Sequence, residues 1–203
     1  MNIETLPVGA IGTNCYLVSD GAVCAIIDPG DEARRIAARL TDKGWTPGAI
    51  LLTHSHYDHT GAVEALRKMY PGIPVYRSEK DIYHGDPYMN QLFPELGETL
   101  KCTEGDVIQV GSLSFTVLET PGHSEGSVTY QCENALFCGD TLFAGSCGRT
   151  DFPGGDVNKM WSSLRRLGRL PGNPEVYPGH MNASTLEQER RVNPYMLHAL
   201  RGC

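Results

Sequence analysis

The sequence lacks the features that place a chain in a membrane or in an oxidising compartment. No apolar run approaches the ~18 residues of a membrane-spanning helix. The stretch Met1–Glu4 carries neither a basic cluster nor the start of a long apolar segment, so we expect no secretory signal. The 7 cysteines are scattered and form no Cys-x-x-Cys pair, which favours reduced thiols. These absences predict a cytoplasmic protein without a membrane partner.

An excess of basic charge is missing as well. The chain has 17 Lys and Arg against 24 Asp and Glu, a net charge of -7 at pH 7. Proteins that bind nucleic acids neutralise phosphates with basic side chains, so this balance argues against a nucleic-acid partner. No flexible linker or charge run divides the chain, and 40% hydrophobic residues suffice for a substantial core. We therefore expect one domain that comprises residues 1–203.

Four side chains that can bind metals lie within six positions, directly after the apolar run 49–52. In an extended segment alternate side chains share a face, so His54 and His56 can hold one ion together. Asp58 and His59 follow where the chain must turn, and they are better placed for a second ion. A lone histidine is usually a surface or packing residue. Three imidazoles and a carboxylate this close together are costly to bury without a compensating cation, so the segment predicts half of a two-metal site.

Three more candidate ligands each follow a predicted strand, at positions 113–118, 135–137 and 175–177. A glycine precedes each candidate and lets the backbone turn sharply, so that the next side chain projects from the edge of a sheet. Taken alone, such glycine turns are common and carry little information. Their order after the first cluster makes them candidates for the other half of the site. They are His123, Asp140 and His180.

This ligand pattern resembles that of the metallo-β-lactamase superfamily along nearly the whole chain. The resemblance implies a four-layer αββα sandwich, whereas the periodicity alone predicts only an α/β fold with strands interleaved with helices. It also implies how the ions are held. In the superfamily, one ion is held by residues that match His54, His56 and His123, and the other by residues that match Asp58, His59 and His180. The residue that matches Asp140 bridges the two ions. The implied cofactors are two divalent ions, zinc in the first place, although such ligands also accept iron and manganese.

Shorter strings narrow the resemblance. The segments 139–143 and 145–152 are similar to glyoxalase II (hydroxyacylglutathione hydrolase) and to persulfide dioxygenases, and the segment 184–194 is similar to short, single-domain bacterial glyoxalase II-like proteins. The resemblance therefore implies hydrolysis of a thioester such as S-lactoylglutathione by a metal-bridging hydroxide. In this hypothesis Asp58 also orients the nucleophile. The longer glyoxalase II enzymes use an extra C-terminal domain to bind glutathione, so a smaller thioester, an ester or a lactone is an alternative substrate.

Two other classes of function stay open. A persulfide dioxygenase would use one iron, held by positions that match His54, His123 and Asp140, yet this chain keeps every ligand for a second ion. The second of these alternatives is a noncatalytic metal-binding module. Structural zinc sites are closed and usually rich in cysteine, which argues against it.

Several residues near these motifs have two interpretations. Arg149 falls where glyoxalase II enzymes carry a basic residue for a glutathione carboxylate, but it could equally pair with Asp151. Tyr57 is predicted to line the entrance, although tyrosine more often packs. Asp28 either holds a metal ligand or simply ends a strand. Cys147 lies in a segment that we expect at the rim of the site.

The remaining segments yield simpler predictions. We expect Asp31 to cap a helix over 32–43 and a single helix over 184–200. The segment 85–104 has three helix breakers and is predicted to be an irregular lid. The two histidines outside the motifs, His84 and His198, are expected at ordinary surface or packing positions.

Overall fold

The first half of the chain forms a six-stranded sheet, in a computed structural model that describes residues 1–83 and 87–202. Its strands lie side by side in chain order. The first three pair antiparallel, and the later ones pair parallel. These strands are β1 (Asn2–Val8), β2 (Thr13–Ser19), β3 (Val23–Ile27), β4 (Thr46–Leu51), β5 (Val75–Arg77) and β6 (Leu100–Lys101).

The second half forms another six-stranded sheet, ordered β14-β13-β10-β9-β8-β7. The strand β10 pairs antiparallel with β9 and parallel with β13. Its strands are β7 (Val107–Val110), β8 (Leu113–Glu119), β9 (Val128–Cys132), β10 (Ala135–Gly139), β13 (Glu175–Pro178) and β14 (Ser184–Thr185), while β11 (Leu142–Phe143) and β12 (Ser146–Cys147) form a separate hairpin.

The two sheets pack face to face, and helices cover both outer faces. The end of β4 is continuously apolar because both of its faces are buried. Ala49 and Leu51 pack between the sheets, whereas Ile50 and the following Leu52 pack on the helical side. The first sheet is covered by α1 (Ala33–Lys43) and α3 (Val63–Met69), and the second by α5 (Val157–Gly168), α6 (Leu186–Val192) and α7 (Pro194–Arg201). Two short helices, α2 (Tyr57–Thr60) and α4 (Pro87–Leu92), follow β4 and β5 along the chain. The predicted αββα layering is confirmed. Among the described residues, no helix is long and apolar enough to cross a bilayer.

Two predictions about helix ends are wrong. The cap of α1 is Glu32, in a left-handed conformation and without a side-chain capping hydrogen bond, while Asp31 only accepts a bond from the Glu32 N–H. The predicted helix 184–200 is two helices. Pro194 occupies the first turn of α7, and Asn193 caps that helix by accepting bonds from two of its backbone N–H groups.

The prediction of an irregular segment is also wrong for parts of the described residues 87–104, while the role of a lid stays a prediction. This stretch contains α4 and β6, and the Arg67 guanidinium donates to the carbonyls of Leu96 and Glu98. The start of the predicted lid, residues 85 and 86, and His84 lie outside the described residues. His198 is exposed and packs its ring 4.7 Å from that of Trp161, as expected for a packing residue.

Tyr130 connects the two sheets next to the ligand-bearing end of β4. Its buried hydroxyl donates to the carbonyl of Leu52 at 2.9 Å. We predict that Tyr130→Phe lowers the free energy of unfolding by about 1–2 kcal/mol, because a buried carbonyl loses its donor. Denaturant titration measures this change.

The matched control is Tyr177→Phe, since the Tyr177 hydroxyl donates to the exposed carboxylate of Glu175. This variant should differ from the parent by less than about 0.5 kcal/mol. Equal stability of the Tyr130→Phe protein and the parent would contradict the role assigned to this hydroxyl.

Candidate metal centre

The seven predicted ligands converge at one edge of the sandwich, where strands of both sheets end. Three overlapping groups have ligand atoms that lie within 4.8 Å of one another. The first group contains histidines only, and the other two combine histidine with aspartate. The groups are His54, His56 and His123; His54, His59 and Asp140; and Asp58, His59 and His180. The result is a His/Asp cluster suited to divalent metals.

The first cluster follows β4 as the alternation of side chains predicts. His54 and His56 belong to the same group, and the backbone at His56 is extended. The short helix α2 begins at the next residue and carries Asp58 and His59 in its single turn. This change from extended to helical backbone turns the second pair toward a different group.

Hydrogen bonds on the outer ring nitrogens orient two of the imidazoles. The buried carboxylate of Asp28 accepts from His59 Nδ1 at 3.0 Å and from the Thr53 hydroxyl at 2.6 Å. The Thr53 oxygen lies 3.1 Å from His54 Nδ1. A proton on each Nδ1 leaves each Nε2 with a free lone pair that faces the cluster. Of the two interpretations of Asp28, the structure therefore favours the one in which it holds a candidate ligand.

The second sheet supplies the other three side chains. His123 Nδ1 donates to the carbonyl of Arg149 at 2.8 Å, and its Nε2 lies 2.9 Å from His56 Nδ1. Asp140 lies between the groups: its Oδ1 is 3.5 Å from His59 Nε2, and its Oδ2 is 3.5 Å from His123 Nε2 and 3.6 Å from His180 Nε2. Such a position between the groups suits a carboxylate that is shared by two ions.

Four buried polar atoms in this cluster have no hydrogen-bond partner: His54 Nε2, His56 Nε2, His59 Nε2 and Asp140 Oδ1. Buried polar atoms are normally paired, because their desolvation is costly. The atoms at issue are nitrogen and carboxylate donors, the ligand types that zinc, iron and manganese accept. The residues present therefore fit a divalent metal centre.

Electrostatics favours the neutral form of two imidazoles and the protonated form of a third. Burial, together with the neighbouring histidines, lowers the pKa of His56 to about 3 and places the pKa of His54 well below its usual value. Both rings are thus neutral at physiological pH, which is the form that binds metals. Burial opposes protonation of His59 too, but the carboxylates of Asp140 and Asp28 raise its pKa well above the usual value.

Close backbone approaches make room for these side chains. A Cβ built on Gly30 would lie 1.6 Å from the carbonyl oxygen of Asp58. At Gly179 a Cβ would lie 2.3 Å from Asp140 Oδ1 and 2.6 Å from His59 Cε1. Only glycine fits at such contacts.

The cluster opens into a cleft of about 430 Å³. His180 and Asp58 lie at its floor, 3.2 Å apart, and are partly exposed. Several side chains around the opening are apolar, which suits a site for a small organic molecule. The apolar lining residues are Ile11, Leu92, Phe143, Phe152 and Met181.

The two predicted substrate contacts both line this cleft. Tyr57 is half exposed. The Arg149 guanidinium forms a two-point ion pair with Asp151, at 2.6 and 2.7 Å, and lies over the ring of Phe152 at 3.7 Å. In this conformation Arg149 makes the alternative pairing with Asp151, and its backbone carbonyl holds His123.

Sequence reasoning missed three residues that contact the candidate ligands or their segments. Thr13 donates to Asp58 Oδ2 at 2.9 Å, the ring of Phe93 packs 4.5 Å from that of His56, and Asp81 binds the segments around His56 and His123. None lies in a recognisable motif. Cys147 is half buried on β12, and burial raises the pKa of its thiol to about 11, which disfavours the reactive thiolate.

Comparison with known proteins agrees with this geometry. A family model described as the metallo-beta-lactamase superfamily matches residues 8–180. Hydroxyacylglutathione hydrolase GloC from Haemophilus influenzae is 37% identical over 97% of this chain and 98% of its own length.

Three solved structures share the fold. BLEG-1, a B3 metallo-beta-lactamase, is 36% identical with a TM-score of 0.87, covering 96% of this chain and 99% of its own. TTHA1623 in a di-iron-bound form is 36% identical with a TM-score of 0.82, covering 95% and 99%. ETHE1 from Myxococcus xanthus is 29% identical with a TM-score of 0.83, covering 100% and 91%.

The family model spans most of the chain, these structures share its αββα sandwich, and the candidate ligands cluster at the strand ends. This protein therefore belongs to the metallo-β-lactamase superfamily, a family of hydrolases.

Proposed function

We propose that this protein is a dinuclear metal-dependent hydrolase of the glyoxalase II type, which cleaves a thioester such as S-lactoylglutathione or a related ester or lactone. The observation that carries the proposal is the set of four buried, unpartnered ligand atoms in a cluster that opens into a cleft. A structural metal site would be closed, whereas this one is accessible from solution. The catalytic domain in this proposal comprises residues 1–203.

Seven residues are assigned to the metals. One ion would be held by His54, His56 and His123, and the other by Asp58, His59 and His180, with Asp140 shared between them. Zinc is the proposed metal. Iron is the main alternative, because TTHA1623 is described in a di-iron-bound form.

Two divalent ions bound here supply Lewis-acid activation of water and of the substrate carbonyl. The chain's own residues position the reactants. Asp58 Oδ2 is held by the Thr13 hydroxyl and faces the cleft, so it can accept a hydrogen bond from the attacking water and orient it. The apolar rim excludes bulk water from a bound substrate, and Tyr57 and Arg149 are the proposed substrate contacts.

The thioester class rests on family evidence. GloC is named a hydroxyacylglutathione hydrolase, and it matches this chain over almost its whole length. The six described cysteines are free thiols, which supports a cytoplasmic location for the reaction.

The alternative of a mononuclear iron persulfide dioxygenase needs only His54, His123 and Asp140. The convergence of the second group, Asp58, His59 and His180, supports two ions over one. The open cleft argues against a noncatalytic metal-binding module.

We predict that His56→Ala or Asp140→Asn lowers turnover by about two orders of magnitude or more while the chain stays folded, because each removes a metal ligand. Steady-state kinetics, circular dichroism and metal analysis measure the three quantities. His198→Ala is the matched control, since His198 packs on Trp161 and does not belong to the cluster of candidate ligands. Full activity in either ligand variant would refute its assignment.

A second prediction concerns metal content and substrate. Metal analysis should give about two ions per chain, and S-lactoylglutathione or a smaller thioester should be hydrolysed. Chelation should abolish this turnover, and added Zn²⁺ should restore it. One iron per chain with oxygen uptake on glutathione persulfide would favour the dioxygenase instead. A metal-loaded protein that is inert on thioesters, lactones and persulfides would favour the noncatalytic module.

A further inference from the structure

A buried carboxylate on the first sheet contacts both segments that carry the three-histidine group. Asp81 ends a short 3-10 turn (Glu79–Asp81) soon after β5 and is 1% exposed. Its Oδ2 accepts from the Ser55 N–H at 3.1 Å and from the Ser124 hydroxyl at 2.8 Å. Its Oδ1 accepts from the Gly126 N–H at 2.6 Å.

The positions of these donors along the chain are informative. Ser55 lies between His54 and His56, after β4 of the first sheet. Ser124 directly follows His123, after β8 of the second sheet. One carboxylate therefore joins two strand ends from different sheets, and those ends carry all three histidines of one group.

Other groups hold the second set of ligands. Asp58 accepts a hydrogen bond from the Thr13 hydroxyl, and His59 donates one to the Asp28 carboxylate. The loop after His180 is fixed by the Asn14 amide, which donates to the carbonyl of Met181 at 2.8 Å. In the part of the chain that the structure describes, the hydrogen bonds of Asp81 end on Ser55, Ser124 and Gly126 instead.

The chemistry of Asp81 explains why a carboxylate is needed. It meets three donors with two oxygens, and it has no donor of its own when ionised. An asparagine would keep one oxygen but point an NH₂ group at a backbone N–H or at a hydroxyl. The absence of a side chain at residue 126 allows this close approach, because a Cβ on Gly126 would lie 2.6 Å from Asp81 Cγ.

We propose that Asp81 is a positioning residue, which sets the distance between His123 and the pair His54 and His56 and thereby controls the affinity of the three-histidine position for its ion. The inference rests on the proposed metal function and adds a residue to it. It differs from a general structural role because the effect should be confined to one of the two metal positions.

The test measures zinc affinity in two backgrounds, by titrating metal-free protein with Zn²⁺ against a chromophoric chelator. His180→Ala leaves the three-histidine group complete, and His56→Ala leaves Asp58, His59 and His180 complete. We expect Asp81→Asn to weaken zinc binding roughly 10–100-fold in the His180→Ala background. In the His56→Ala background the change should be less than about threefold, because Asp81 does not contact that group.

Two further variants sharpen the result. Ser124→Ala removes one of the three bonds and should weaken zinc binding in the same background by a smaller factor. It also carries the test if Asp81→Asn does not fold. Asp106→Asn is the matched control. Its exposed carboxylate likewise accepts a backbone N–H and a hydroxyl, both from Thr103, and it should leave both affinities unchanged.

An equal loss of affinity in the two backgrounds would overturn the inference, and so would an unchanged affinity in a folded Asp81→Asn protein. If neither background with Asp81 intact binds zinc, the proposed metal centre itself is wrong. Comparing the unsubstituted Asp81 proteins first therefore separates the two failures.

Discussion

The rest of the structure depends on the burial of imidazoles and carboxylates where the two sheets meet, because removing these groups from water is energetically costly. Four of their atoms are buried without a hydrogen-bond partner, and a bound divalent cation would offset the cost of this burial. The surrounding bonds are complete on the other side of the rings: Asp28 and the Arg149 carbonyl accept from the outer nitrogens of His59 and His123. At His59 and His123 the chain thus satisfies the outer ring nitrogen, and Nε2 faces the cluster, as in a metal-binding pocket.

The sandwich makes this arrangement possible because the ligands come from both sheets. Their strand ends are held together by hydrogen bonds beside the cluster. The Val128 N–H donates to the carbonyl of Thr53 at 2.7 Å, and the Asn14 N–H donates to the carbonyl of Gly179 at 2.7 Å. Because these contacts sit next to His54 and His180, the relative position of the sheets fixes the distance between the two groups of ligands. Packing and chemistry are therefore coupled at this edge.

Local rules in the sequence predicted an α/β fold and candidate ligands at strand ends, whereas the αββα layering and the division of the seven ligands between two ions were implied by the family resemblance. Alternation along an extended chain pairs His54 with His56, and a glycine before each later candidate indicates a strand end. Asp81 could not be predicted, since its role exists only once Ser55 and Ser124 are brought together by long-range pairing. The division of the helix 184–200 was readable in Pro194 and was missed, because the apolar pattern continues across it.

The close contacts of Gly30 and Gly179 have a consequence for how this protein tolerates change. Neither residue has a side chain that could bind anything, yet the missing methyl group is what lets Asp58 and Asp140 occupy their places. Replacing Gly30 with alanine would push away the backbone carbonyl of Asp58, and replacing Gly179 would displace the carboxylate of Asp140. The geometry of the centre therefore depends on the lack of a side chain at these two glycines as well as on the side chains that can bind metal.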